Sequence, residues 1–473
     1  MKKRLALVTA VIVLIGILGG CASTTNAPSP SDSDSPSPAA ASPETESPVP
    51  SEPVQITLWH SMSDEAGELM ETLVSEFNNG IGMEKGIEVE SVFQGAYSDS
   101  TAKLRTILQN DQRDQLPDVM QIDATGMVDY QATEYKYTVD DALENDPSFD
   151  MGQFLEVPLM NWNYNGVQLG MPFSSSTTVM YYNKTMLDAA GVTQAPTTFQ
   201  EIIDLADKLP GKTDDGNDIW ASAAVPNTPS LANWIGQIKG TDIDASYVVD
   251  NQNGRSASAT KLVCDTEGTL STFMTEWKKM YDAGALLNQS SNISDLFIAG
   301  QLALYTTSSS NLSTLLTVTD GKFELGCAYF PRVNSDANYG ATVSGSGMFM
   351  FDKGDAAKTA AAWEFEKYLV SPDVQAVFST GTGYFPANKE SYQTNAYTSY
   401  VSQYPQMEIG VNQVNETSVD MVGVTVGPSW DFYMEMMNQI SSGLESGSSA
   451  EEITDSVAST LNGILDQYNK SNS

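Results

Sequence analysis

The segment ITLWHSMSDEAGELMETLVSEFNNGIGMEKGIEVESVF occupies residues 56–93 and contains two apolar stretches on either side of an amphipathic one. Residues 56–60 alternate between polar and apolar side chains, as in a short strand. Residues 63–79 then carry apolar side chains at helical spacing, and residues 87–93 have the composition of a second strand. The pattern continues with a helix and a third strand, so the order β-α-β-α-β predicts a mainly parallel sheet.

The remaining globular sequence predicts further helices and strands with open loops between them. The predicted strands are 117–123, 168–173, 179–183, 300–305, 323–330 and, after a Gly/Ser turn, 343–350, and the predicted helices are 103–108, 186–191, 200–209, 356–370 and 453–468. Residues 172–176, 306–311 and 380–386 are expected to be loops, because they are rich in serine, threonine or glycine. Between residues 220 and 318 the pattern is mostly helical.

The first 21 residues have the layout of a secretory signal. Three basic residues at positions 2–4 precede an apolar run at 5–18, which is shorter than the ~20 residues of a membrane-spanning helix. Small residues followed by Cys21 resemble the lipobox at which a bacterial signal peptide is removed and the cysteine acylated. We therefore expect a signal peptide at 1–20 and a lipid anchor on Cys21, with an ordinary signal peptide as the alternative.

Residues 21–54 are rich in serine, proline, alanine and acids and almost free of large apolar side chains. Such a segment cannot bury enough surface to offset its ordering entropy, so a disordered tether is expected. Composition becomes globular from about residue 55 to 470, which is long enough for two domains of ~100 to 200 residues each.

Charge excludes several classes of partner. The chain has 23 Lys and Arg against 60 Asp and Glu, and removal of a signal peptide with three bases would leave 20 against 60, a formal charge of −40. A charge of this sign argues against nucleic acid or an anionic membrane face as the partner.

Cysteine and histidine are too scarce to suggest a cofactor. His60 is the only histidine, and only Cys264 and Cys327 remain beyond Cys21, so no His/Cys metal site and no cofactor are expected. Cys264 and Cys327 could form one disulfide or remain two buried thiols, and the sequence leaves this open.

Several short motifs occur in the order typical of one family. They are Ile56–His60, Pro117–Val119, Pro172–Ser176, Val179–Lys184, Pro196–Phe199, Phe297–Leu304 and Thr382–Pro386. Together they resemble the extracellular solute-binding proteins of carbohydrate ABC importers, the maltose-binding-protein class. Within that class, Trp59–Met62, Gly95–Tyr97 and Tyr384 are most similar to the sn-glycerol-3-phosphate-binding proteins.

The resemblance implies an α/β, two-lobed periplasmic-binding-protein-like fold. Each lobe would be a mainly parallel sheet flanked by helices and hinged around a central cleft. The approximate division is residues 55–165 plus 320–380 for lobe I and residues 166–319 plus 381–470 for lobe II. The implied partners are a small sugar or polyol, two ABC permease subunits with their ATPase, and the membrane through the lipid anchor. A monomer is expected.

The resemblance also implies a set of ligand-binding residues and no catalytic ones. The family's contacts carry over to Tyr97, Asp123, Ser176, Ser308, Gly345 and Tyr384. Aromatic faces suit the C–H surfaces of sugars, and short polar groups or backbone N–H suit their hydroxyls. For each position a packing, capping or turn role is the alternative. Trp234 and Trp430 are candidates for stacking, although a buried tryptophan is the commoner outcome.

This chain departs from the glycerol-3-phosphate-binding proteins that it resembles at a position that bears on the charge of the ligand. Glycerol-3-phosphate binders of this type have an arginine where this sequence has Tyr433, and residues 401–469 contain no Arg or Lys. Tyrosine cannot offer a phosphate the bidentate donors of arginine, so a neutral sugar, oligosaccharide or polyol is predicted over glycerol-3-phosphate, with glycerophosphodiesters between them. Arg332 or the backbone near Gly345 would be needed to hold a phosphate.

Two other functional classes remain as alternatives. A secreted glycoside hydrolase would need paired acids near an aromatic cleft, and no such pair stands out. A surface adhesin or a sensor for a membrane receptor could use the same cleft without transport.

Overall fold

The computed structural model describes residues 52–238, 247–427 and 429–471. The predicted signal peptide, Cys21 and most of the predicted tether lie outside the described residues. No helix within these ranges is long and apolar enough to cross a membrane.

The strands are numbered in chain order. They are β1 Val54–His60, β2 Ile87–Phe93, β3 Val119–Asp123, β4 Lys136–Tyr137, β5 Asn163–Tyr164, β6 Val167–Gln168, β7 Met171–Asn183, β8 Ser222–Ala223, β9 Leu286–Leu287, β10 Leu304–Ser308, β11 Leu325–Tyr329 and β12 Val343–Phe351.

The helices are numbered in the same way. They are α1 Asp64–Asn79, α2 Ile81–Lys85, α3 Tyr97–Gln109, α4 Met127–Ala132, α5 Val139–Asn145, α6 Glu156–Met160, α7 Lys184–Ala189, α8 Phe199–Ala206, α9 Thr228–Ile238, α10 Asp250–Gly254, α11 Thr269–Asp282, α12 Ile293–Ile298, α13 Leu312–Thr319, α14 Ala356–Leu369, α15 Pro372–Thr382, α16 Asn395–Gln403, α17 Met407–Asn415, α18 Ser429–Ser446 and α19 Ala450–Ser471. Three residues of α10 have φ near +55°, so α10 is a left-handed turn.

One mixed sheet of eight strands organises the described residues. Its main path is β10-β7-β12-β3-β1-β2, with β11 also on β7 and β4 also on β12. β1 is parallel to β2 and to β3, as the β-α-β-α-β pattern predicts. β12 is antiparallel to β3, β4 and β7, and β10 and β11 are antiparallel to β7. The predicted α/β class is confirmed, but the expectation of a mainly parallel sheet holds only around β1.

Helices pack against the sheet in several hydrophobic clusters, and the two largest are the first and the second core. The first core contains Leu58 of β1 and Phe77 of α1, together with residues of α14 and α15. The second core contains Trp234 of α9, and residues of α11, α18 and α19. Phe330, which follows β11, also packs in this second core.

The 13-residue strand β7 contributes to both cores. Its first half pairs with β12 and places Met171 and Phe173 in the first core. Its second half pairs with β10 and β11 and places Met180 in the second core. β7 therefore carries the chain from one core to the other, and β12 runs antiparallel beside it.

Two segments predicted as loops or turns are strands instead. Residues 172–176 lie inside β7, and the Gly/Ser turn at 343–347 lies inside β12. Serine and glycine have a low strand propensity, but pairing of the two strands and burial of Ser174 override it. The predicted loop at 380–386 is shortened in the same way, because α15 continues to Thr382 and ends at Gly383.

Candidate functional site

Two adjoining cavities lie where β7 and β12 pass between the cores. The Asp123 cavity has a volume of about 260 Å³ and is bordered by Asp123, Thr228, Arg255, Gly345 and Tyr433, among others. The Ser308 cavity has a volume of about 230 Å³ and is bordered by Thr178, Trp234, Ser308 and Tyr433, among others. The two cavities share Pro229, Ser344 and Tyr433, so they form one cleft.

Strand pairing builds the floor of this cleft. Ser176 of β7 lies opposite Ser344 of β12. Next to this pair, Ser174 Oγ and Ser346 Oγ are 2.5 Å apart, and Gln121 Nε2 donates to Ser346 Oγ at 2.7 Å. Because these buried hydroxyls are satisfied by each other and by Gln121, they hold the floor rigid. Ser176 is buried and borders neither cavity, whereas its partner Ser344 borders both.

Tyr97 and Tyr384 lie together beside Asp123. Burial raises the pKa of the Tyr97 phenol, and the neighbouring Tyr384 and Asp123 add to the shift. Burial likewise raises the pKa of Tyr384. The Tyr97 hydroxyl lies near the Ser346 and Ser174 hydroxyls, which oppose the rise in its pKa, but it has no hydrogen-bond partner among the described residues. Neither tyrosine borders the two cavities, so the ligand contacts expected for Tyr97 and Tyr384 stay a prediction.

Asp123 ends β3 and borders the Asp123 cavity. Its Oδ1 accepts from Thr125 N at 3.1 Å and from Thr125 Oγ1 at 2.6 Å, so the carboxylate caps the turn that follows the strand. Burial raises its pKa, and the bonds from Thr125 oppose that shift. The ligand-binding and capping roles predicted for this position are thus compatible, because one carboxylate serves the turn and faces the cavity.

Ser308 ends β10 and borders the Ser308 cavity. Its Oγ accepts from Ser310 N at 3.3 Å and lies 2.8 Å from Ser310 Oγ. The hydroxyl therefore caps a short turn at the cleft, which again combines the two roles considered for it.

The two tryptophans do not offer a ring face to the cleft. Trp234 borders the Ser308 cavity but is 2 % exposed, stacks on Phe273 and on Phe330, and donates from Nε1 to Pro331 O at 3.1 Å. Trp430 is 69 % exposed and borders neither cavity, but it stacks on Tyr433 with ring centroids 5.7 Å apart. Tyr433 itself borders both cavities.

Gly345 borders the Asp123 cavity for a steric reason. Its φ is +105°, and a Cβ built on it would lie 1.7 Å from Ser174 O. Glycine is therefore required for β7 and β12 to approach each other, whether or not its backbone also contacts a ligand.

Sequence reasoning missed two polar residues of the cleft. Thr228 begins α9, and its buried hydroxyl has no hydrogen-bond partner in the described ranges. Arg255 follows α10 and is 4 % exposed at the wall of the Asp123 cavity. The available signal for Arg255 was weak: a single basic residue after Asn251–Gly254, whose asparagines suit a left-handed turn.

The cleft can bind polar solutes but has no paired acids. Asp123 is the only acid that borders either cavity in the described part of the chain. His60 lies elsewhere, 3.2 Å from Glu71, and burial lowers its pKa. Cys264 and Cys327, whose pairing the sequence left open, are both free thiols. Within the described residues no group of three potential ligands could hold a metal ion.

A cleft between two cores, crossed by strands, is suited to binding a small polar solute. The chain belongs to the bacterial extracellular solute-binding protein family, whose model matches residues 72–408. The family resemblance predicted from the short motifs is thereby confirmed.

Among curated relatives, the sn-glycerol-3-phosphate-binding periplasmic protein UgpB of Yersinia pestis is 23 % identical over 373 residues, covering 76 % of this chain and 80 % of UgpB. Among solved structures, UgpB from Mycobacterium tuberculosis in complex with glycerophosphocholine matches with a TM-score of 0.65 and 19 % identity, covering 88 % of this chain and 99 % of that one. The cyclic alpha-maltosyl-1,6-maltose binding protein from Arthrobacter globiformis matches with a TM-score of 0.69 and 19 % identity, covering 88 % and 100 %. At these identities the structures establish the fold.

Proposed function

We propose that this chain is the lipid-anchored solute-binding component of an ABC importer. It would capture a small sugar, oligosaccharide or polyol in the cleft and deliver it to two permease subunits with their ATPase, without catalysis. The observation that carries the proposal is the cleft itself, which is bordered by the carboxylate of Asp123 and by Thr228, whose buried hydroxyl has no partner among the described residues. The Tyr97 hydroxyl, also without such a partner, lies close to Asp123. Polyols present several hydroxyl groups that could pair with such groups.

The two cores correspond in this proposal to two hinged lobes. β7 and β12 would be the hinge strands, and ligand contacts from both sides would favour a closed form. The segment around Phe330 was predicted to belong to lobe I, but we assign it to lobe II because Phe330 packs against Trp234. Ligand contacts are proposed for Tyr97, Asp123, Ser308, Tyr384 and Tyr433, with Ser176 and Gly345 supporting the floor.

A glycerol phosphate or glycerophosphodiester is the second candidate ligand. Two relatives are named for such ligands, and Arg255 provides a cation at the Asp123 cavity that the sequence argument for a neutral ligand did not take into account. A glycoside hydrolase is the weaker alternative, since only one acid borders the cleft in the described residues.

The Tyr97 hydroxyl provides a test of the binding site. Tyr97→Phe should leave the free energy of unfolding unchanged, because the hydroxyl makes no hydrogen bond in the described protein, yet it should weaken ligand binding about 5- to 10-fold. Calorimetric titration with neutral mono- to trisaccharides, glycerol-3-phosphate and glycerophosphocholine measures affinity, and denaturant unfolding measures stability.

Tyr130→Phe is the matched control. The Tyr130 hydroxyl donates to Met350 O at 2.7 Å and also lies 3.0 Å from Tyr137 O, in a separate hydrophobic cluster with Phe349 and Phe351. Its removal should cost about 1–2 kcal/mol of stability and leave affinity unchanged. Wild-type affinity in Tyr97→Phe would contradict the ligand contact proposed for Tyr97, and turnover of a bound sugar would contradict the proposed function.

A substitution at Cys21 tests the proposed lipid anchor. Cys21→Ala should release the protein into the medium or leave it with an uncleaved signal, because the acylated cysteine would be missing. Fractionation of cells and mass measurement of the product detect either result. A variant that is processed and membrane-retained like the wild type would rule out acylation at this position.

A further inference from the structure

Arg255 is a buried guanidinium without an acidic partner among the described residues. It donates to the backbone and side-chain oxygens of Asn161, the latter at 3.2 Å, to Gly423 O at 3.3 Å and to Met127 Sδ at 3.3 Å. All these acceptors are neutral, and the thioether is a weak one. Desolvation alone lowers the pKa of Arg255 to about 10, so the group is still a cation at neutral pH.

Its hydrogen bonds do not use the full capacity of the guanidinium. The contacts occupy Nε–H, both protons of one terminal nitrogen and one proton of the other, leaving one of the five N–H groups. A cation held only by neutral acceptors carries a desolvation cost that a neutral side chain in the same bridging position would avoid. Bridging alone therefore does not account for an arginine here.

The position of Arg255 places its positive charge at the Asp123 cavity. It borders the Asp123 cavity together with Thr228 and Tyr433. Asp123 borders the same cavity but forms no ion pair with Arg255, and its Oδ1 is taken by Thr125. The cavity thus contains a cation whose charge no described residue neutralises.

We propose that Arg255 is the charge-recognising residue of the cleft, so that the ligand is a polyol or sugar derivative with an anionic group, a phosphate ester or a carboxylate, that binds in the Asp123 cavity. The inference rests on the proposed function and narrows its ligand class. The guanidinium would pair with the anion, while the hydroxyl of Thr228 and the carboxylate of Asp123 would receive ligand hydroxyls. Recognition of the anionic group would then depend on the segment that follows α10.

The test compares charged and neutral probes on the wild-type mature protein. Calorimetric titration uses glycerol-3-phosphate and glycerophosphocholine as phosphate esters, glucuronate as a carboxylate, and glycerol, glucose and maltose as neutral counterparts. At least one anionic probe should bind about 30-fold or more tightly than its neutral counterpart, and this preference should decrease with added salt.

Substitutions then locate the cation. Arg255→Gln should remove the preference for the anionic probe, with about a 30-fold or greater loss of its affinity, and Arg255→Lys should retain part of it because the charge remains. Arg332→Gln is the matched control, since Arg332 donates to Ser335 O and Ala337 O, lies over the Tyr339 ring and borders neither cavity. It should bind like the wild type.

The outcomes separate this inference from the proposed function. Tight binding of a neutral sugar with no gain from an anionic group would overturn the role of Arg255 and leave the binding function intact. An Arg255→Gln protein that keeps the wild-type preference would do the same. Failure of every charged and neutral probe to bind would instead contradict the proposed function. If Arg255→Gln does not fold, the wild-type preference and the Arg255→Lys affinity decide.

Discussion

Gly345→Ala should destabilise the protein by at least about 4 kcal/mol or prevent folding altogether. The new Cβ would lie 1.7 Å from Ser174 O, and that oxygen belongs to the backbone of β7, which cannot move aside without breaking its pairing with β12. The φ of +105° at Gly345 adds backbone strain for any other residue. Denaturant unfolding, together with the yield of soluble protein, measures the effect.

Gly463→Ala is the matched control for this substitution. Gly463 lies within α19, and a Cβ built there meets no atom within 4 Å. Alanine should therefore stabilise the protein by about 0.5–1 kcal/mol through its higher helix propensity. A free energy of unfolding for Gly345→Ala within about 1 kcal/mol of the wild-type value would contradict the close approach of β7 and β12 at the cleft.

Trp234→Ala should cost about 3–5 kcal/mol of folding free energy, because it removes a large buried ring between Phe273 and Phe330. Trp430→Ala, at an exposed position, should change stability by no more than about 0.5 kcal/mol. Thermal and denaturant unfolding of the two variants compare a buried with an exposed tryptophan in one chain.

The same two variants test the stacking role first considered for these residues. Trp234→Phe keeps a ring in the core, so it should fold and bind ligand like the wild type. A Trp234→Ala protein of normal stability that has lost its ligand would contradict the core assignment. Loss of binding in Trp430→Ala would place Trp430 in the ligand contact through Tyr433, on which it stacks.

Local patterns predicted the regular parts of the fold well. β1, α1 and β2 lie where alternation and helical spacing placed them, and α14 and α19 match the predicted C-terminal helices closely. These elements have one strongly apolar face each, which a sequence reveals directly. Strand direction was harder to predict. The antiparallel pairs of β7 with β10, β11 and β12 join residues more than a hundred positions apart, and no local signal encodes such pairs.

The family motifs predicted several residues that the structure places at or near the cleft. Asp123, Ser308, Gly345 and Tyr433 border the joined cavities, and Tyr97 lies beside Asp123 with Tyr384. The tryptophans fit less well, because composition does not tell whether a ring face is covered by other rings. Arg255 was missed because its place at the cavity depends on a left-handed turn and on distant contacts to Asn161 and Gly423.

β7 restricts how this protein can change in evolution. Because side chains alternate between the faces of a strand, adding or deleting one residue within Met171–Asn183 would reverse every side chain on one side of the change. One strand supplies Phe173 to the first core, Ser176 to the cleft floor and Met180 to the second core, so such a change would misplace buried residues and floor residues together. New specificities can therefore arise along β7 by substitution, whereas length variation must be confined to the loops outside it.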